Sequence, residues 1–278
     1  MTTTGRHPLF SLDGKLALVT GATGILGSAM CRGLTMAGAH VIVTSRAEGA
    51  ALAAASALRE AGHRATGFAL DTMDDASLSA AAARTREMGG LDILVNGVGG
   101  NQKEATTAPG RTFAMLPRVA VEDVFALNFF GGAFSTAQAF APQMVDKVTG
   151  GVILNITSMS ALRPLTRIPG YSAAKAAVEN FTRWLAVHVA EEHNPRVRVN
   201  AVAPGFFLTT QNRFLLTDEA TGALTPRGRA IIDHTPMRRF GEPDDLIGTV
   251  VWLCSDAACF VTGITVPVDG GFSAGCGV

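Results

Sequence analysis

Short apolar runs alternate along this chain with longer stretches rich in alanine. LALVT (16–20), HVIVTS (40–45), TGFAL (66–70), LDILVN (91–96), GVILNIT (151–157), VRVNAV (197–202) and GITVPV (263–268) read as seven strands. Most lack a period of two between apolar and polar positions. Both faces of such strands are expected to be covered, as in a parallel sheet. Helices are predicted between them at 25–37, 47–62, 74–88, 120–146, 171–192 and 243–255. Regular β–α alternation argues for an α/β, doubly wound, seven-stranded parallel sheet with helices on both faces. No low-complexity linker and no internal repeat interrupts it, so residues 1–278 read as a single domain.

Two segments break the rhythm. Residues 97–119 are long, polar and marked by Gly and Pro, and residues 203–242 show little periodicity. Long irregular segments in a domain of this kind are usually functional. Both follow strands, and doubly wound sheets bind ligands beyond the carboxyl ends of their strands. The stretch 203–242 is expected to be a substrate loop.

Composition narrows the partners. Apolar residues make up 47% and charged residues 17%, and 23 Lys+Arg balance 23 Asp+Glu. That balance offers no electrostatic reason to expect nucleic acid or an anionic membrane. The first ten residues lack the apolar core of a secretory signal, and no uninterrupted apolar window reaches the ~18 residues of a membrane span. A cytoplasmic protein is expected. Cys31, Cys254, Cys259 and Cys276 are scattered without a metal-binding spacing, and are expected to be reduced structural thiols.

The first strand runs into TGATGILG. Gly21, Gly24 and Gly27 follow it and open a helix. Glycine lets the backbone turn tightly and approach a pyrophosphate, which the helix N-terminal N–H groups of this turn (Thr23, Ile25 and Leu26 among them) would bind. The second strand ends in Thr44-Ser45-Arg46. An acid there would hold the ribose 2′-hydroxyl of NAD(H). A guanidinium suits a 2′-phosphate, so NADP(H) is the favoured cofactor and NAD(H) the alternative.

The only tyrosine, Tyr171, stands four residues before Lys175, one of four lysines against nineteen arginines. Residues i and i+4 share a helix face. A positive charge beside the phenol would draw its pKa of ~10 toward neutrality and make it a usable acid/base. Ser158, after a central strand, could hydrogen-bond a substrate oxygen and align it with that proton.

These motifs, in this order and spacing, resemble the short-chain dehydrogenase/reductase family over nearly the whole chain. The family's TGxxxGxG is matched with one departure, Ile25 standing where the middle glycine falls. Its NNAG motif appears as Asn96-Gly97-Val98-Gly99, its catalytic Asn as Asn128, its YxxxK as Tyr171 and Lys175, and its PGxxxT as Pro204 to Thr209. The resemblance implies a single-domain Rossmann fold and an oxidoreductase. It implies Asn128, Ser158, Tyr171 and Lys175 as the catalytic set, with Asn128 holding a relay water. Asp71, Thr72, Asn96, Gly97, Val98, Lys175, Pro204, Gly205, Phe207 and Thr209 are implied as cofactor contacts, beside Ser45 and Arg46. WLAVH, APGFFLTTQNR, LTPRG, HTPMRRFGEP and VDGGFSA are similar to the D-mannonate oxidoreductase (fructuronate reductase) branch.

A sugar acid needs a cation for its carboxylate and polar groups for its hydroxyls. Asn101, Ser160, Arg163, Asn212 and Arg213 are the candidates, Arg213 foremost. Phe206, Phe207 and Phe214 leave open the acyl substrate of a 3-oxoacyl reductase. A non-catalytic dinucleotide-binding redox sensor is the reading from another class. Apolar and small positions lie nearly all round the helix at 171–190, so one face is expected to meet another subunit. A homo-oligomer follows, and the resemblance implies a tetramer.

Overall fold

The structure, a computed structural model, describes residues 7–208, 213–218 and 221–275. Seven strands form one sheet: β1 (Leu16–Thr20), β2 (His40–Ser45), β3 (Ala65–Ala69), β4 (Ile93–Asn96), β5 (Gly151–Ile156), β6 (Val197–Pro204) and β7 (Thr265–Val268). They run in the order β3-β2-β1-β4-β5-β6-β7, every pair parallel. All seven expected strands are present, and the doubly wound sheet is as the alternation predicts.

Each long helix buries one stripe on this sheet. Within β1, Ala17 and Val19 face a core shared with Met30 and Leu34 of α1 (Ile25–Met36), Ala55 and Leu58 of α2 (Glu48–Glu60), and Val250 and Leu253 further along. Leu16 and Leu18 face the opposite core, with Leu78 of α3 (Asp75–Glu87) and Phe140 and Met144 on the other side. This two-sided burial explains why the strands read as continuous apolar runs.

The predicted helix at 120–146 is α4 (Arg118–Phe129), a π-helical turn over Phe130–Phe134, and α5 (Ser135–Val145). This continuous helix is long and apolar enough to cross a membrane by length and composition. Here it is a core helix, packed on the sheet with Val124, Phe140 and Met144 buried. Then come α6 (Met159–Leu162), a single turn, and α7 (Pro169–Glu192). The loop at 203–242 contains α8 (Arg213–Leu216) and α9 (Pro226–His234), which periodicity did not reveal. The predicted helix at 243–255 is a 3₁₀ turn, Pro243–Leu246, running into α10 (Ile247–Cys254).

The strand order reverses between β1 and β4, whose last residues Thr20 and Asn96 are in register. A crevice opens beyond the carboxyl ends of strands at such a point. Two glycines make it possible. Gly21 has φ +65°, and a Cβ there would lie 2.7 Å from the Gly97 carbonyl oxygen. A Cβ on Gly27 would lie 2.1 Å from the Gly21 carbonyl oxygen, so helix and strand meet backbone to backbone. Gly24 is freer, with only the Gly21 oxygen nearby at 3.4 Å.

The cap glycine, Gly24, and the helical one, Gly27, should therefore respond differently to a methyl group. Gly27→Ala is expected to cost about 2 kcal/mol or more. Gly24→Ala should cost about 1 kcal/mol or less, as a cap substitution. Equal losses in chemical denaturation would contradict this packing.

Candidate active site

Ser158 follows β5 and caps α6. Its Oγ accepts from the Ser160 N–H at 3.1 Å, and its hydroxyl hydrogen is directed to the Tyr171 phenol oxygen. Tyr171 lies in the first turn of α7, behind Pro169 at the favoured N-terminal position. Its ring packs with Val121, Val124, Ala120 and Ala105, an apolar wall built by α4 and the segment after β4. Gly170 allows this approach, since a Cβ there would lie 3.0 Å from Val121 Cγ1.

Lys175, one turn on, is buried. Its Nζ donates to the Ile156 carbonyl at 2.8 Å and sits 5.8 Å from the centre of the Tyr171 ring. Its own carbonyl accepts from Thr157 Oγ1 at 2.8 Å, which fastens α7 to the end of β5. Burial pulls the Lys175 pKa down to about 8.

The expected lowering of the phenol does not occur in this geometry. Burial in the apolar wall raises the Tyr171 pKa, and the Ser158 side chain beside it offsets this only in part. The ammonium is occupied by the Ile156 carbonyl, so Lys175 does not dominate the phenol.

Asn128 is fully buried near the end of α4, just before the π turn. Its amide donates to the Gly100 carbonyl at 2.6 Å and the Val124 carbonyl at 2.7 Å, and its Oδ1 accepts from the Gly100 N–H at 3.1 Å. Both amide hydrogens are committed, and one lone pair on Oδ1 remains for a further donor. Gly99 lies between this oxygen and Lys175. A Cβ on it would stand 2.6 Å from Asn128 Oδ1 and 2.9 Å from Lys175 Nζ. Residue 99 must be glycine for the two side chains to converge.

The described residues expected around a dinucleotide lie at the carboxyl ends of β1, β2, β3, β4 and β6, and their chemistry fits one. Gly24 caps α1 without a side-chain hydrogen bond, so the first N–H groups of the helix, at Ile25 and Leu26, keep no side-chain acceptor. Gly97 and Val98 are held by their N–H groups on Thr20 Oγ1, at 3.0 and 3.3 Å. Asn96 ends β4 buried, donating to Asn155 Oδ1 at 2.8 Å, while its own Oδ1 is without a partner. Asp71 and Thr72 follow β3, and the Thr72 hydroxyl would lie 2.9 Å from a Cβ on Gly131 of the π turn. Thr23 and Gly21 complete the turn after β1. Ser45 ends β2, and Arg46 beyond it is exposed. Pro204 ends β6, Gly205 abuts Asp269, and Phe207 is buried against Gly241. Thr209 lies outside the described residues.

The substrate candidates are less gathered. The Ser160 hydroxyl is buried without a partner, two residues from Ser158. Asn101 is exposed and donates to Thr106 Oγ1 at 2.8 Å. Arg163 is exposed, its Nε donating to the Ser273 carbonyl at 3.4 Å, so it ties down the chain after β7. Arg213 is exposed at the start of α8, and Asn212 lies outside the described residues. Gly99 and Thr20 were missed at the sequence level, although Gly99 stood within a recognised motif. Cys31 and Cys254 are buried thiols whose pKa burial pushes up to about 12.

A glycine turn at the switch point of a doubly wound sheet, together with Ser158, Tyr171, Lys175 and Asn128 about the end of β5, is the arrangement of a dinucleotide-dependent oxidoreductase. The chain belongs to the short chain dehydrogenase family, whose model matches residues 15–220. It is 44% identical over 278 residues to an uncharacterized oxidoreductase, UxuB, of Bacillus subtilis, covering 96% of this chain and 98% of the relative. Among solved structures it is similar to a candidate D-mannonate oxidoreductase from Haemophilus influenza with bound NAD (TM-score 0.89, 38% identity, 96% and 98% of the chains). It is also similar to a gluconate 5-dehydrogenase from Burkholderia cenocepacia in complex with NADP and tartrate (TM-score 0.85, 31% identity, 96% and 98%). The protein is thus an NAD(P)-dependent enzyme acting on CH–OH groups.

The depressed Lys175 pKa carries a stability consequence. Between pH 8 and 10.5 the unfolded chain binds more protons at this residue than the folded one, so its contribution to stability rises with pH across that window. Relative to Lys175→Met, the parent protein should gain up to about 3 kcal/mol between those limits. Parallel stability profiles for the two proteins would show that the ammonium is not held out of water.

Proposed function

We propose that this enzyme interconverts a keto-uronate and a sugar acid, with D-fructuronate and D-mannonate as the pair. The observation that carries the reading is the meeting of Ser158 and Tyr171 beyond β5, with Lys175 one helical turn below and Asn128 across Gly99. A bound nicotinamide dinucleotide supplies or accepts the hydride. Ser158 turns its hydroxyl hydrogen from the phenol to the substrate oxygen and aligns it. Tyr171 gives the proton to that oxygen in reduction and takes it in oxidation. Lys175 and the open lone pair of Asn128 offer a route for replacing the proton.

The likeness to a candidate mannonate oxidoreductase and a gluconate dehydrogenase supports an acid sugar as substrate. The buried, unpartnered Ser160 hydroxyl supports a polyhydroxy compound, because it lacks a protein partner beside Ser158. A 3-oxoacyl substrate has less support. Phe206 and Phe207 line a cavity with Met237 and Pro267, but Arg239, Asp245 and Asp269 share that lining and make it a mixed polar surface rather than an acyl channel. The sensor reading has no support beside a complete catalytic set.

Arg46 supports NADP(H). It is exposed just beyond β2, and among the described residues it has no ion pair. The reading extends to a cytoplasmic homotetramer. Support comes from the rings of Phe130, Phe134, Phe181 and Trp184, which run across the π turn and α7 with Phe130 and Trp184 exposed.

Two substitutions test these assignments. Tyr171→Phe should lower turnover of D-fructuronate by at least ~10²-fold while the enzyme still binds NADPH. Retained turnover would remove the mechanism. Arg46→Asp should move cofactor preference toward NAD(H), as read by the ratio of kcat/KM for the two cofactors. An unchanged ratio would mean that the 2′-phosphate is recognised elsewhere.

A further inference from the structure

The chain after β7 folds back on itself at Asp269. Its Oδ1 accepts from the Gly271 N–H at 2.9 Å and its Oδ2 from the Ser273 N–H at 2.8 Å. Gly270 and Gly271 take φ of +63° and +87°, the left-handed region that glycine enters without strain. The turn is seated on the end of β6. There the Gly205 N–H donates to the Val268 carbonyl at 2.9 Å, and a Cβ on Gly205 would lie 2.6 Å from Asp269 Cα. Phe272 stands between the two N–H groups that the carboxylate holds, so its backbone is secured independently of its side chain.

The Phe272 ring is half-buried and meets two other rings edge to face. One is Phe206, just beyond β6, with centroids 5.1 Å apart and planes at 62°. The other is His234, the last residue of α9, at 4.6 Å and 69°. The backbone adds to this, since the Met237 N–H donates to the Gly270 carbonyl at 3.1 Å. On the far side of the tail, the Ser273 carbonyl accepts from Arg163, in the loop that follows Ser158 and α6. One short tail therefore touches the segment leaving β6, the end of α9 and the loop that follows Ser158.

Helix α8 moves with α9. A Cβ on Gly228 would lie 2.1 Å from the Leu216 carbonyl oxygen, and that oxygen accepts from the Thr225 N–H at 3.0 Å. The end of α9 does not rest on a filled core. His234 is exposed, and Phe206, Met237, Gly270 and Gly271 border a cavity of about 380 Å³. Beside that space, the Phe272 ring and the Met237–Gly270 hydrogen bond hold α9 to the strand ends.

We propose that Phe272 is a positioning residue for the substrate: by clasping His234 to Phe206 it keeps α8 and α9 in place at the strand ends from which Phe206 and Ser158 emerge. The proposal rests on the reading of residues 203–242 as the substrate loop. Phe272 acts through that loop and not by touching substrate. It sets the share of molecules whose loop is already in place, and apparent affinity falls in proportion when that share falls. Bound substrate draws the loop back, so turnover at saturation is largely kept.

The test combines limited proteolysis and kinetics of the full-length enzyme. With NADPH present, trypsin cuts after Arg227, Arg229, Arg238 and Arg239 of the loop are followed by mass spectrometry, against cuts after Arg59 and Arg86 in α2 and α3. Such cleavage follows the population of the opened segment. Phe272→Ala should speed the loop cuts about tenfold and leave the others at the parent rate. It should raise KM for D-fructuronate about five- to tenfold while kcat stays within about twofold. Phe272→Tyr keeps the ring and should restore both values. His234→Ala removes the exposed partner, should shift both values in the same direction, and decides the matter should Phe272→Ala misfold. Loop cleavage at the parent rate, equal acceleration at every site, or faster loop cleavage with an unchanged KM would each overturn the proposal. If the parent does not turn over D-fructuronate, the sugar-acid reading falls, and the loop cuts alone then uphold or overturn the clasp.

Discussion

An ammonium group held out of water governs the catalytic end of this molecule. Burying a lone charge costs several kcal/mol unless it finds partners. Lys175 offsets part of that cost on the Ile156 carbonyl, the last residue of β5, and part by giving up proton affinity. The rest of the site follows from keeping it there. Helix α7 must be fastened to β5, which the Thr157 hydroxyl achieves through the Lys175 carbonyl. A buried amide chain does the same further along, as Asn96 donates to Asn155 and Asn155 to Thr182 of α7. The turn after β4 must pass beside the ammonium without a side chain, hence Gly99.

The second constraint is backbone proximity at the point where the sheet reverses its strand order. Gly21, Gly27 and Gly97 each sit where a Cβ would strike a neighbouring carbonyl oxygen, and together they draw α1, β1 and β4 into one crevice. The family's middle glycine is absent, but the structure does not call on it. Ile25 is already inside α1, and Gly24 caps the helix at an ordinary extended φ of −74°. The departure from the motif moves one glycine to the cap and leaves the two close contacts intact.

The regular part of the fold was legible because two-sided burial writes itself into apolar runs, and all seven strands fall within a few residues of their expected positions. The four residues proposed as catalytic stood out because they sit in short local motifs. Three things were not. The π turn at Phe130–Phe134 leaves no break in an apolar pattern. Helices α8 and α9 are too short, and α9 too polar, to show a period against their loop. The sign of the Tyr171 shift was misjudged because spacing reports that Lys175 is near, while burial and the Ile156 carbonyl decide where its charge is spent.

That corrected sign bears on the direction of the chemistry. A phenol raised above its ordinary value stays protonated across neutral pH, and so does the Lys175 ammonium, at least in part, with its pKa near 8. Within the proposed mechanism, the resting site therefore holds the proton that ketone reduction consumes. Oxidation of the alcohol needs the opposite state, a phenolate in an apolar wall of Val121, Val124 and Ala120, and that wall penalises it. Within that mechanism the burial keeps the phenol protonated near neutrality and leaves its phenolate form to higher pH.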